Sequence, residues 1–268
     1  MWRNGRAGGG EPLLVLHGYP TASFDFSRLA PLLAERFALL LLGFPGYGLS
    51  EKANRPYSLA QQADVAEDLA RRRGWTSVSV LAHDMGCSVA LELLGRPSLT
   101  MVHLTLLNGS IWLEHYRPLV TQRVLLHPVT GPLISRLGLI GYRAFARQLG
   151  SVFAAPPPER EIEAFCQLVV ANGGCRIQHR LIQFIRERQE RERGWMDGLA
   201  RHPAPLSIIW GQRDPVARPA IAEEVVRRRP DASYVPLGSV GHYPQWEAPN
   251  QVAGAMPGAT RGPTSSTT

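Results

Sequence analysis

Five continuous apolar runs, separated by segments with helical periodicity, restrict the fold of this chain more than any other feature of the sequence. The runs occupy residues 12–18, 37–44, 77–84, 102–109 and 205–211. Residues 58–74 have a helical pattern, with Ser58 placed as an N-cap and Gly74 at the end. Apolar runs without alternation are typical of strands buried on both faces of a parallel sheet. The sequence therefore predicts an α/β fold in which a mostly parallel sheet carries helices on both faces.

The segment between the fourth and fifth runs differs from the rest of the chain. Residues 113–200 show helical patterns, interrupted by AAPPPE at 154–159, and contain no run typical of a strand. An all-helical insertion between two strands of a parallel sheet is typical of a lid over the strand ends. We predict a core formed by residues 1–112 and 201–256, a helical lid over 113–200, and a disordered tail of small and polar residues at 257–268.

The charge of the chain raises the question of nucleic acid, because 29 basic and 22 acidic residues give a net charge of +7. Many arginines alternate with acids, as in RERQERER at 186–193, which is typical of a solvated helix face, and no aromatic-basic motif accompanies them. No apolar run reaches the ~18 residues of a membrane span, and the first ten residues do not resemble a signal peptide. We expect a cytoplasmic protein that neither binds nucleic acid nor spans a membrane.

The cysteine count bears on disulfides and metals. Cys87, Cys166 and Cys175 are an odd number of cysteines, and they lack the paired spacing of metal ligands. This pattern predicts free thiols. The sequence indicates neither a metal nor a cofactor.

The stretch VLAHDMGCSVA at 80–90 predicts a buried strand that turns sharply into a helix, with Asp84 at the apex. Ala82 and Gly86 lie two residues before and after Asp84, which is the spacing of small residues in a strand-turn-helix nucleophile elbow. The amide groups at the start of the helix favour an anion at this point. A simple alternative is that Asp84 only caps the helix. The small neighbours instead indicate a nucleophile lifted above the sheet.

Two further residues stand where a nucleophilic acid needs partners. Asp214 follows the last apolar run, in GQRDP, and His242 lies on a later loop, in GHYPQWE. Taken singly, RDP is also a good turn sequence, and a loop histidine is usually only solvated. The order nucleophile, acid, histidine is that of hydrolases built on a strand-turn-helix elbow. Together the three residues predict a catalytic triad.

Five short motifs lie at or just after the predicted strand ends. They are HGYP at 17–20, GFPGYGLS at 43–50, AHDMG at 82–86, GQRDP at 211–215 and GHYPQWE at 241–247. In these motifs the chain resembles the epoxide hydrolase and haloalkane dehalogenase branch of the α/β-hydrolases. Within that branch, LLNGSI at 106–111, HYRP at 115–118, RERGW at 191–195 and GHYPQ at 241–245 are similar to the mesoderm-specific transcript subgroup. The resemblance covers roughly residues 11–253 and implies an α/β-hydrolase fold with an inserted helical lid.

The resemblance also implies a mechanism. Asp84 attacks an electrophilic sp3 carbon and forms an alkyl ester, and His242, oriented by Asp214, then activates the water that hydrolyses the ester. The backbone amides of Tyr19 and Met85 are expected to stabilise the oxyanion that forms on Asp84. The implied partners are a small apolar electrophile and water, and a homodimer is left open.

Two positions depart from the pattern of the branch. Met85 stands where haloalkane dehalogenases have a tryptophan that holds the departing halide, and methionine cannot donate a hydrogen bond. Phe184 stands near the second lid tyrosine with which epoxide hydrolases protonate the opening oxygen. Tyr142 and Tyr116 are then the expected proton donors. Phe184, His17 and Trp112 are further residues expected at the substrate.

These departures rank the possible reactions. We expect the opening of an epoxide to a diol ahead of dehalogenation. Ester hydrolysis ranks lower, because no Ser or Cys occupies the elbow and a carboxylate attacking an acyl carbon gives an unstable anhydride. The alternatives are a haloalkane dehalogenase, another α/β-hydrolase, or a non-catalytic binding protein that retains the fold.

Overall fold

The computed structural model describes residues 10–139 and 141–257. Its centre is a six-stranded sheet, parallel throughout, with strand order β2-β1-β3-β4-β5-β6. The strands are β1 Glu11–Leu16, β2 Phe37–Leu41, β3 Ser77–His83, β4 Thr100–Leu107, β5 Leu206–Gly211 and β6 Ser233–Leu237. The five apolar runs of the sequence correspond to β1 to β5, so the predicted α/β architecture with a parallel sheet is confirmed.

The edge strand β6 is the one strand of this sheet that the apolar pattern does not indicate. Most of its residues are exposed or partly buried, and Pro236 lies within it. Proline is found mainly in edge strands because it has no backbone N–H to donate to a neighbouring strand. A strand with only one neighbour therefore has a weaker apolar signal than the central strands.

Helices surround the sheet. The α-helices of the described residues are α1 Ala30–Leu33, α2 Leu59–Arg72, α3 Met85–Leu94, α4 Val120–Leu126, α5 Thr130–Arg136, α6 Tyr142–Gly150, α7 Glu159–Val170, α8 Gln178–Leu181, α9 Phe184–Arg201, α10 Pro219–Arg228, α11 Pro244–Glu247 and α12 Pro249–Ala255. Short 3-10 helices cover Ser23–Phe26, Leu113–His115 and Ala171–Ile177.

Helix α2 begins and ends at the predicted residues. The Ser58 hydroxyl accepts a hydrogen bond from the Gln61 N–H at 3.1 Å, and the Gln61 side chain accepts one from the Ser58 N–H at 3.4 Å. This reciprocal pair satisfies two amides that the first turn leaves unpaired. Gly74 follows the C-cap Arg73 with φ of +75°, a conformation that favours glycine.

Two hydrophobic cores cover the two faces of the sheet. Leu14 and Leu16 of β1 belong to the core that includes α2, α3 and α9, whereas Leu13 and Val15 belong to the core that includes α1 and α12. Because side chains alternate along a strand, a slip of one residue would turn each set toward the wrong core. The packing therefore fixes the strand register, and with it the height of every loop at the carboxyl edge of the sheet.

Between β4 and β5 the described residues form helices α4 to α9 and no strand, as the pattern at 113–200 predicts. We call residues 113–201 the helical segment. It is anchored to the sheet domain by α9, which packs against α3. None of the helices within residues 10–139 and 141–257 has the length and apolar character needed to cross a bilayer. The predicted disordered tail lies outside the described residues except for residue 257, and the cytoplasmic location and the homodimer stay predictions.

Gly86 allows α3 to lie directly against β1. A Cβ added to Gly86 would lie 2.4 Å from the carbonyl oxygen of Leu16, and both groups belong to the buried backbone. We expect Gly86→Ala to lower the free energy of unfolding by about 2 to 3 kcal/mol, as is typical of an overpacked core. Gly95→Ala, at the other end of α3, is the matched control because a Cβ there meets no atom within 4 Å. Urea unfolding measures both, and equal stability of the two variants would contradict the close approach.

Candidate active site

The turn between β3 and α3 holds Asp84 in an uncommon backbone conformation. Its φ of 47° and ψ of −113° lie outside the regions that most residues adopt. Such a conformation costs on the order of 1 to 3 kcal/mol and is concentrated at functional sites. The Asp84 side chain makes no capping hydrogen bond to α3, although Asp84 occupies the N-cap position. The geometry is therefore that of an elbow rather than of a helix cap.

The loop after β1 approaches this elbow and donates to it. The Tyr19 N–H donates to Oδ2 of Asp84 at 3.0 Å. A Cβ on Gly18 would lie 2.8 Å from the Cβ of Asp84, so the backbone of HGYP fits only with glycine there. Met85 is the first residue of α3, and its N–H has no acceptor within the helix. Tyr19, one of the two predicted backbone donors, thus already holds an oxygen of the Asp84 carboxylate, and the role of the Met85 N–H stays a prediction.

His242 and Asp214 form a buried pair at the same edge of the sheet. The two side chains approach to 2.6 Å between Nδ1 of His242 and Oδ2 of Asp214. Oδ1 of Asp214 accepts from the N–H groups of Val216 and Ala217 at 2.7 and 3.0 Å. Because Nδ1 of His242 is bonded to Asp214, Nε2 is the ring nitrogen that remains for proton transfer.

Asn108 completes the support of Asp214 and was not indicated by the sequence reasoning. It follows β4 in the motif LLNGSI, with φ of 36°. Its Nδ2 donates to Oδ2 of Asp214 at 2.7 Å, and its Oδ1 accepts from the N–H of Gly211 at 2.8 Å. Asn108 therefore links the ends of β4 and β5 and orients the acid that binds His242.

Neighbouring charges determine the protonation states of Asp84 and His242. Burial by itself would raise the pKa of Asp84, but the charges of Arg188 and His242 together hold that pKa below its ordinary value. Burial likewise opposes the charged form of His242, but the charge and hydrogen bond of Asp214, with the charge of Asp84, raise its pKa to about 9. At neutral pH the site therefore contains an ionised carboxylate close to a protonated imidazole.

Arg188 is the charged residue of this site that sequence reasoning did not find. It belongs to α9, yet only 1% of its surface is exposed. Its Nη2 lies 3.8 Å from Oδ1 of Asp84 and donates to the Asp84 carbonyl oxygen at 3.3 Å, and its Nε donates to the Ser88 hydroxyl at 2.7 Å. Nη1 has no hydrogen-bond partner among the described residues. A fixed positive charge thus faces the Asp84 oxygen that Tyr19 does not hold.

The interpretation of RERQERER as a solvated helix face is therefore wrong for one of its residues. The buried residues of α9 are Phe184, Ile185, Arg188, Trp195, Met196 and Leu199. These positions recur at helical spacing, so Arg188 lies on the apolar stripe of the helix rather than on its charged face. The helical spacing of these positions is the feature of the sequence from which a buried Arg188 could have been predicted.

The two tyrosines expected as proton donors lie in different places. The Tyr116 hydroxyl is buried and donates to Oε1 of Gln122 at 2.7 Å. Burial, with Asp84 nearby, raises the pKa of Tyr116, so its phenol keeps its proton. Tyr142 is 44% exposed and lines a cavity that does not include Asp84. The structure thus places Tyr116, rather than Tyr142, in the surroundings of Asp84.

The remaining three candidates take up separate positions. Phe184 packs against Tyr19, with ring centroids 5.5 Å apart, and against the guanidinium of Arg188 at 4.6 Å. His17 uses both ring nitrogens, because Nε2 accepts from the Phe44 N–H and Nδ1 donates to the Gly18 carbonyl.

Burial lowers the pKa of His17 to about 4, which leaves a neutral ring behind the loop. Trp112 lies under the guanidinium of Arg228 at 4.4 Å, and its indole N–H donates to Glu114 at 3.4 Å. Of these three, Phe184 contacts two residues of the Asp84 site, Tyr19 and Arg188.

Two neighbouring cavities open between the sheet edge and the helical segment. The smaller, about 30 Å³, includes Asp84 and His242 in its wall. The larger, about 420 Å³, is enclosed mainly by α4, α6 and α7 and has a size typical of small-molecule sites. The residues that line both cavities are Tyr19, Pro20, Phe145 and Gln148. Within residues 10–139 and 141–257, no group of three or more His, Cys, Asp or Glu side chains is arranged to hold a metal ion.

Comparison with known proteins agrees with this fold. Residues 13–255 match the profile of the alpha/beta hydrolase family, and the chain belongs to that family. It is 39% identical to LipZ of Mycobacterium tuberculosis, described as a candidate hydrolase, over 93% of this chain and 89% of that protein. It is 34% identical to the mesoderm-specific transcript protein of Mus musculus, over 91% of this chain and 77% of that protein.

Solved structures of the expected branch share the fold. The haloalkane dehalogenase DbeA from Bradyrhizobium elkani superposes with a TM-score of 0.79 at 22% identity, covering 93% of this chain and 89% of the other. The epoxide hydrolase CorEH gives a TM-score of 0.73 at 23% identity, with 92% and 90% covered. The predicted α/β-hydrolase fold and the resemblance to this branch and to the mesoderm-specific transcript subgroup are confirmed.

Proposed function

We propose that this hydrolase uses Asp84 as a nucleophile and opens an epoxide to a diol through a covalent ester. The observation that carries the proposal is the ionised Asp84 carboxylate at a strained elbow, with no role as a helix cap. Tyr19 holds Oδ2, which leaves Oδ1 for the attack. The helical segment is proposed to act as the lid of the site.

The first half of the reaction forms the ester. Oδ1 of Asp84 bonds to an epoxide carbon, the carbon–oxygen bond of the ring breaks, and its electron pair stays on the oxygen. The resulting alkoxide takes a proton from the Tyr116 hydroxyl, which solvent then restores. Arg188 is proposed to position the Asp84 carboxylate and to keep it ionised, and its unpartnered Nη1 offers a donor to the negative charge on the leaving oxygen.

The second half hydrolyses the ester. Esterification removes the negative charge of Asp84, one of the causes that raise the pKa of His242, so the imidazole loses its proton more readily. Neutral His242, oriented by Asp214, then takes a proton from water, and the hydroxide attacks the carbonyl carbon of the Asp84 ester. The amides of Tyr19 and Met85 stabilise the oxyanion. On its collapse the imidazolium of His242 gives its proton to the leaving oxygen, which releases the diol, and the carboxylic acid left on Asp84 passes its proton to His242 and becomes the carboxylate.

The ester intermediate can be trapped by removing the base. We expect His242→Gln, incubated with styrene oxide and with a long-chain epoxide, to gain the full mass of one epoxide in intact-mass spectrometry, with the adduct on Asp84 after peptide mapping. The double variant Asp84→Asn/His242→Gln is the control and is expected to gain none. A haloalkane tested in parallel adds an alkyl group and releases halide if dehalogenation is the reaction.

Labelled water gives a second readout on the unmodified chain. Because water attacks the Asp84 carbonyl carbon, turnover in 18O water is expected to place 18O in the Asp84 carboxylate before it appears in the product. Label that appears only in the diol would mean that water attacks the epoxide directly. Such a result, or the absence of any adduct with every epoxide and haloalkane, would refute the nucleophilic role of Asp84.

A further inference from the structure

Four large apolar side chains form an exposed ridge on the helical segment. Val129, Leu133, Leu137 and Leu139, here called the apolar ridge, are between 54% and 68% exposed. The Leu133 N–H donates to the Val129 carbonyl, and the Leu137 N–H to the Leu133 carbonyl, so these three side chains are stacked one helical turn apart. Single exposed apolar residues are normal, but a contiguous row marks an interaction surface.

The stretch of chain that carries the apolar ridge is basic. Residues 115–158 contain five arginines and no aspartate or glutamate, although the whole chain has 22 acidic residues. The five are Arg117, Arg123, Arg136, Arg143 and Arg147, and all are exposed. None of them forms a salt bridge with an acid in the described part of the chain. This stretch therefore combines exposed apolar side chains with guanidinium groups that no salt bridge compensates.

Helix α5, which carries part of the apolar ridge, packs against α4, α8 and the 3-10 helix Ala171–Ile177, and residues of all three line the larger cavity. Tyr142, three residues after Leu139, is 44% exposed and lines the cavity of about 420 Å³. Val170, which lines the same cavity, is 51% exposed. The acids in this lining are Glu159 and Glu163 of α7, outside the ridge and its arginines. A partner on the apolar ridge would thus lie beside an entrance to the cavity.

We propose that the apolar ridge and its arginines dock the protein on the surface of an anionic phospholipid membrane. Leucine and valine side chains enter the boundary between headgroups and acyl chains, and exposed arginines bind the lipid phosphates. A second copy of this chain fits less well, because a symmetric interface would bring five arginines of each copy together. The lipid surface supplies the opposite charge that such a face needs.

Docking in this orientation brings the cavity entrance to the bilayer. An apolar substrate concentrated in the membrane would then reach the cavity without crossing water. The docking does not depend on the proposed chemistry at Asp84, since none of the residues of the apolar ridge lines the cavity that holds Asp84.

Vesicle sedimentation tests the proposal. We expect the protein to bind vesicles of phosphatidylcholine with phosphatidylserine, to bind pure phosphatidylcholine weakly, and to dissociate as salt is added. Arg136→Gln/Arg143→Gln should weaken binding by roughly fivefold for each arginine. Leu133→Glu/Leu137→Glu should weaken it by at least about tenfold, because it removes apolar insertion and adds like charge. Leu49→Glu is the matched control, since Leu49 is 71% exposed outside the helical segment.

Several results would overturn the docking surface. One is equal binding to neutral and anionic vesicles, and another is a loss of binding in Leu49→Glu as large as in the ridge variant. Concentration-dependent dimers that only Leu133→Glu/Leu137→Glu dissociates would assign the apolar ridge to a second copy. Circular dichroism and urea unfolding of each variant establish that the change in binding does not follow from a loss of fold.

Discussion

Replacing Asp84 with asparagine is expected to abolish turnover while the protein remains folded. Asparagine has the same shape and tolerates a positive φ, but it cannot serve as an ionised nucleophile. Loss of a residue that acts at the centre of a hydrolase site lowers kcat by roughly 10⁴ or more. Steady-state assays with the best epoxide or haloalkane measure the loss, and circular dichroism checks the fold.

Stability separates this result from a loss of structure. In Asp84→Asn the Arg188 guanidinium loses its charged neighbour but keeps its bonds to the Asp84 backbone carbonyl and to Ser88. We therefore expect the free energy of unfolding to fall by only about 1 to 3 kcal/mol. Asp68→Asn, a surface change, is the control for the substitution itself. Turnover retained in Asp84→Asn would mean that the acid is a structural residue of the elbow.

Arg188→Met is expected to show how much the fixed charge of Arg188 contributes to the low pKa of Asp84 and to turnover. Arg188 is a cause of the lowered pKa of Asp84, so its removal leaves the effect of burial less opposed and raises that pKa. The acid limb of the pH profile of kcat/KM should move to higher pH. At neutral pH, loss of the charge beside the reacting oxygens should lower kcat/KM by roughly 10² to 10³.

Arg188→Lys is the conservative partner of this variant. It keeps a positive charge, so the acid limb is expected to stay near that of the unmodified protein, while the loss of the bond to Ser88 reduces kcat. If Arg188 only packed against its neighbours, the acid limb of the kcat/KM profile would not move in Arg188→Met. The double variant Asp84→Asn/Arg188→Met is expected to lose less free energy of unfolding than the sum of the losses in the two single variants. The reason is that the double variant leaves no buried charge without its partner.

The sequence indicates the parts of this molecule that depend on local pattern. β1 to β5 are buried on both faces, so each is a continuous apolar run, and the elbow needs small residues at fixed distances from Asp84. Asp214 and His242 follow predicted strands, and parallel strands bring their carboxyl ends to one edge. These features are fixed by spacing along the chain, and spacing is visible without a structure.

Other parts depend on contacts between distant segments. Arg188 touches Asp84 across 104 residues, and its run of alternating charges resembles a solvated helix more than a buried contact. Asn108 acquires its role only because β4 and β5 are neighbours. Motif position also does not give side-chain direction, which is why His17 faces the backbone behind the loop and Tyr142 faces the larger cavity.

The space beside Asp84 has a volume of about 30 Å³, whereas the neighbouring cavity has about 420 Å³. Phe145 and Gln148 line both spaces, so movement of these two side chains would join them. A substrate too large for the smaller space would then bind only to molecules in this open form. If about one molecule in a hundred is open, the apparent affinity for a substrate that needs the open form is about a hundredfold weaker than that of the open form itself. Variants that favour the open form would lower KM for bulky substrates more than for small ones.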